Sequence, residues 1–114
     1  MAFVLKQSDN YSWPVSFDLP VDGGRHQRET FDAQFKRLPQ SRIVEIGKQI
    51  ENGELTDVEL AAEVLVGWAG ITDDAGKEIP YSQKAVGSLL DVPMLATSIV
   101  TAYFNSLKGA KRKN

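Results

Sequence analysis

The chain has 114 residues, a formal net charge of -2 and ordinary apolar and charged fractions, enough for one hydrophobic core and too little for two. So mild a charge excludes the strong electrostatic footprint of a nucleic-acid or membrane-surface binder. With no cysteine, disulfides, thiolate nucleophiles and cysteine-ligated metal or iron-sulfur centres are excluded as well.

The opening Met1 to Leu5 is apolar, but Lys6 and polar residues follow at once, without the longer apolar run of a signal peptide. The protein is therefore expected to stay where it is made. Phe3, Val4 and Leu5 are read as a short strand. Trp13, Val15, Phe17 and Leu19 alternate with smaller or polar residues, the period of two that puts four side chains on one sheet face. Pro14 and Pro20 lack an amide donor, which places this strand at a sheet edge. Val21-Asp-Gly-Gly24 is a hairpin turn whose glycines tolerate positive φ, and Phe31, Ala33 and Phe35 alternate along the returning strand.

At Pro39 the period changes. Ile43, Ile46 and Ile50 fall three and four apart on one helix face that ends near Gly53. Thr56 and Glu59 have capping-box spacing, so a second helix is expected from Thr56 to about Ala69. Its polar residues Thr56, Glu59 and Glu63 share one narrow stripe with Gly67. The rest is apolar, which predicts burial on several sides. Trp68 to Ser82 joins this helix to the next: Gly70 stops it, Asp73 to Gly76 supplies turn chemistry, and Pro80 with Ser82 prepares a third helix carrying Val86, Leu89 and Leu90.

Pro93 suits the first turn of a fourth helix ending before Gly109. From Val92 to Leu107 that segment has no charged residue. Two readings fit: the face serves self-association or partner binding, or the sheet and neighbouring helices cover it. It is too short and too rich in Ser, Thr and Asn for a membrane span. The fold class is thus α+β, a small N-terminal antiparallel sheet of two to three strands with a hairpin, followed by a C-terminal bundle of about four helices. The whole of 1–114 is one domain, with 1–38 mainly β, 39–108 mainly α and 109–114 a flexible basic tail.

Little of this points to catalysis. His26, the only histidine, lies between Arg25 and Arg28 in a hairpin strand, where a solvent-facing side chain is the default. Asp73 and Asp74 lack the alternating oxygen ligands and late Glu of a calcium loop, and Gly23-Gly24 lacks the lysine and helix of a phosphate loop. No cofactor is expected, and the protein is read as a non-enzyme. The basic cluster Lys108 to Asn114 has no interleaved aromatics for stacking bases, so nucleic acid is not the favoured partner. Trp68 is more often core than binding anchor, and its place near the end of the apolar helix suits either role. The charge-poor faces place a partner or oligomer interface on Val64, Leu65 and Trp68 of the second helix and on Met94, Ile99, Tyr103 and Phe104 of the fourth.

Several segments, in order, resemble the tail assembly chaperones of long-tailed, siphovirus-type bacteriophages and prophages: Phe31-Asp-Ala-Gln-Phe-Lys-Arg-Leu-Pro39, Trp68-Ala-Gly-Ile, Asp74-Ala-Gly-Lys-Glu-Ile-Pro-Tyr-Ser82, Leu89-Leu-Asp-Val-Pro93 and Lys113-Asn114. The resemblance covers roughly residues 30 to 114. It implies a protein of the host bacterial cytoplasm, not expected in the mature virion, that binds the tape measure protein and keeps it soluble during tail morphogenesis. Self-association into a homo-oligomer, and a frameshifted longer form starting from the basic tail, are further implications. The competing reading is a structural tail subunit, tube or terminator-like, which would be present in the virion.

Overall fold

The computed structural model describes residues 2–108. The predicted basic tail 109–114, and with it the start of any frameshifted extension, lies outside the described residues. Seven elements follow in chain order: β1 (Asn10–Val21), β2 (Arg25–Lys36), α1 (Gln40–Glu51), α2 (Asp57–Val64), β3 (Leu65–Ala69), α3 (Gln83–Leu90) and α4 (Leu95–Leu107). The α+β class and the antiparallel sheet with four helices are as the sequence predicts.

The strands β1 and β2 pair over their full length, from Asn10 opposite Lys36 to Val21 opposite Arg25. Gly23 and Gly24 close the hairpin at φ +86° and +72°, angles that a Cβ would strain. Val15, Phe31, Ala33 and Phe35 are buried on one face, the alternation expected of a half-buried sheet. Trp13, on the same alternation, retains 37% exposure.

The third strand is the main departure from the sequence reading. The helix expected to run to Ala69 ends at Val64, and Leu65–Ala69 turns into β3 against β2, in the order β1-β2-β3. Two physical reasons favour this. Val66, Gly67 and Trp68 are weaker helix formers than the Leu-Ala-Ala-Glu run before them, and β2 offers an otherwise free edge. Gly67 fits the crossing closely, since a Cβ there would meet Gln34 at 3.2 Å. Phe3–Leu5, the expected short strand, is not in the sheet and stands 67–85% exposed. Gly70, at φ +89°, ends a strand rather than a helix.

The capping box is formed: Thr56 Oγ1 accepts from the Glu59 amide, and the Glu59 carboxylate accepts from the Thr56 amide and hydroxyl. Those two donors hold the Glu59 carboxyl below its ordinary range, the backbone amide contributing most. Ser82 caps α3 as predicted. At α4 the helix begins at Leu95 instead of Pro93, and Met94, its N-cap, is the one non-glycine residue with positive φ among the described residues, at 68°.

The core lies between the sheet and the helices. Leu60, Ala61 and Val64 of α2 meet Leu95, Ala96, Ile99, Val100 and Tyr103 of α4, with Phe35 and Val15 beneath them. Tyr103 stacks edge-on to Phe35 at 5.2 Å, and its hydroxyl donates to the Lys36 carbonyl. Burial pushes the Tyr103 phenol up to about 12. Arg42 ties α1 to α2 by a bidentate pair with Glu63, at 2.8 and 2.6 Å, and also reaches Glu45. Glu63 is held below the usual carboxylate range chiefly by that guanidinium.

Candidate apolar groove

The stretch from Trp68 to Tyr81 forms a looped finger laid against α3. Asp73 organises its tip. Its carboxylate accepts from the Ala75 and Lys77 amides at 2.9 and 3.0 Å, its own amide donates to the Lys77 carbonyl, and Gly76 takes the φ of +81° that the turn requires. Thr72 and Glu78 form an isolated bridge, and the Ile79 amide donates to the Ile71 carbonyl at 2.8 Å. The carboxylate thought unsuited to a calcium loop is thus spent on local backbone amides.

Trp68 fastens the finger to the sheet. Its indole N–H donates to the Ile79 carbonyl at 2.8 Å, and its ring meets Tyr81 edge-on at 5.1 Å. The Tyr81 hydroxyl donates in turn to the Leu65 carbonyl of β3. Between this finger and α3 opens a groove of about 430 Å³. Trp68, Ile71, Ile79 and Pro80 form one wall, Ala85, Ser88 and Leu89 the other, and Lys84 and Ser82 complete the lining. None of these nine side chains is fully buried. A groove of this size and mainly apolar lining takes apolar side chains, and Lys84 is its one charged residue.

The seven residues chosen from the sequence divide sharply. Val64, Leu65, Ile99 and Tyr103 are each 0% exposed and belong to the chain's own core. Phe104 and Trp68 are half-buried, and Met94 is 72% exposed. The reason is plain for α4. Its lack of charge goes with burial of Leu95, Ala96, Ile99, Val100 and Tyr103, and its polar residues are used internally: Thr97 donates to Asp57, Ser98 to the Met94 carbonyl, and Ser106 pairs with Tyr11. Trp68 sits in a strand, not a helix, and is the one chosen residue that lines the groove. Ile71, Ile79 and Leu89 were missed because the lining is shared among strand, loop and helix, and no single periodicity links them.

Among the described residues no group of three or more His, Asp or Glu could hold a metal ion, and no single helix is long and apolar enough to cross a membrane. His26 is exposed in β2, opposite Pro20. A family model described as YdaY prophage protein matches residues 25–106, from the start of β2 to the last turn of α4. No curated protein and no solved structure matches the chain.

Proposed function

The chain belongs to the YdaY prophage protein family, and from that premise we propose that it is a non-catalytic tail assembly chaperone, binding the tape measure protein and keeping it soluble in the host bacterial cytoplasm until tube subunits replace it. The observation that carries this reading is the groove: an accessible, mainly apolar channel between the finger and α3, with a tryptophan in its wall and Lys84 as the one charged residue of its lining. Such a channel suits apolar side chains projecting from a long helix or extended segment, the surface that a tape measure protein must keep from aggregating. The partner surface is accordingly placed on Trp68, Ile71, Ile79 and Leu89, and the buried Val64, Leu65, Ile99 and Tyr103 serve it only as foundation.

Co-expression with a candidate tape measure protein tests the proposal. The expected result is a soluble complex that co-purifies with the wild-type chain and is lost with Ser88→Arg, which plugs the groove from an exposed helix position. Equal solubility with and without the chain, together with recovery of the chain in stoichiometric amount from purified virions, would replace this reading with that of a structural tail subunit.

A further inference from the structure

Lys84, the one charge in the groove lining, is exposed and takes part in none of the ion pairs formed among the described residues. The acids of the finger are engaged elsewhere. The Asp73 carboxylate accepts from the Ala75 and Lys77 amides, and the Glu78 carboxylate accepts from the Gly70 amide. Helix α3 itself contains no acid. Residues four apart on a helix lie one above the other, so α3 offers the groove two adjacent rows, an apolar one of Ala85 and Leu89 and a polar one of Lys84 and Ser88. A second helix repeats its side chains at the same spacing, and one that matches both rows carries large apolar residues flanked on one side by carboxylates.

We propose that the segment bound in this groove is an acidic amphipathic helix, its apolar row seated on Trp68, Ala85 and Leu89 and a carboxylate on the ammonium group of Lys84. The inference rests on the chaperone reading and sharpens it by naming the chemistry of the bound segment. The charge pair selects among segments more than it adds affinity, and a basic segment in the same place meets like-charge repulsion. The chain's net charge of -2 by itself favours a basic ligand, so a preference for an acidic one identifies the local cation.

Two synthetic helical peptides test it, with the same row of leucines and either Glu or Lys at the flanking positions. The chain has two tryptophans, so Trp13→Phe leaves the Trp68 emission as the reporter of the groove. The Glu peptide should bind roughly fivefold more tightly than the Lys peptide at low ionic strength, a preference that shrinks as salt is raised. Lys84→Glu should reverse the preference. Lys84→Met, which keeps the aliphatic stem, should abolish it with the melting temperature unchanged. Binding of neither peptide, equal binding of both, or a preference that survives Lys84→Met would each overturn the acidic-helix assignment. A tape measure complex that forms undiminished with Lys84→Glu would overturn it as well and leave the chaperone reading intact. Selective binding of the Glu peptide with no tape measure complex in co-expression would sink the chaperone reading and leave the selectivity of the groove standing.

Discussion

Helix α4 and the β3–α3 edge both carry large apolar side chains, yet they use them in opposite ways. Along α4 the large side chains Leu95, Ile99 and Tyr103 are buried against α2 and the sheet. At the edge, Trp68, Ile71, Ile79 and Leu89 stay half-exposed because a stiff loop, held by Asp73 and the Trp68–Tyr81 pair, keeps them apart from α3. In a domain of this size one helix must be central, and a charge-free helix is how a sequence writes that centre. An accessible apolar site needs something further, a backbone that cannot collapse into it.

The largest effect should separate the two regions outright. Ile99→Asp puts an unpaired carboxylate at a position with no exposure. It should cost more than about 4 kcal/mol, against a total stability of about 5–15 kcal/mol for a single domain. Leu89→Asp, at a half-exposed position, should cost about 1 kcal/mol and leave circular dichroism unchanged while abolishing partner co-purification. If both variants unfold, the edge is core and the comparison fails.

The core side also carries a pH signature. Tyr103, raised to about 12 from an ordinary value near 10, favours folding while its phenol is neutral. That contribution is complete below about pH 10 and is lost as pH rises through about 12, with a magnitude of up to about 3 kcal/mol. Tyr103→Phe should flatten this alkaline loss, seen in urea midpoints between pH 9 and about 12. A smaller loss belongs to the acid side. Glu63 is depressed by Arg42, so its stabilisation is present above the ordinary carboxylate range and disappears as pH falls through the lowered value. Glu63→Gln should remove that acid dependence, and an unchanged slope would mean the ion pair between α1 and α2 is idle.

Much of the fold was legible, and the residues show why. Val21 to Gly24 reads as a turn because only glycines take its angles, and Thr56 and Ser82 read as caps because their hydroxyls have a fixed reach to the third amide. Leu65–Ala69 was not legible, because a continuous apolar run satisfies a buried helix and a buried strand alike, and the free edge of β2 decides between them. Phe3–Leu5 failed for the converse reason: strand-forming residues have no partner strand beside them. Of the site, the Asp73–Gly76 turn and Trp68 were visible. The groove itself was not, since its walls come from three elements whose approach is set by the Trp68–Ile79 hydrogen bond and no local pattern encodes that distance.

The smallest effect probes a residue that belongs to neither region fully. Met94 holds a left-handed conformation at the entry to α4 while leaving its side chain 72% exposed. For an L-residue that backbone costs roughly 1–2 kcal/mol, which glycine does not incur. Glycine returns part of this by enlarging the unfolded ensemble, an opposing term of about 0.4–1 kcal/mol. The cap itself survives substitution, because both the amide and the hydroxyl of Ser98 bond to the Met94 backbone carbonyl. Met94→Gly should therefore raise stability by about 0.5 kcal/mol, read as a small increase in urea midpoint with an unchanged slope. A stabilised variant that binds the partner less well would show that the strained methionine is kept for contact, extending the accessible surface from the groove to the start of α4. Undiminished binding would confine that surface to the finger and α3.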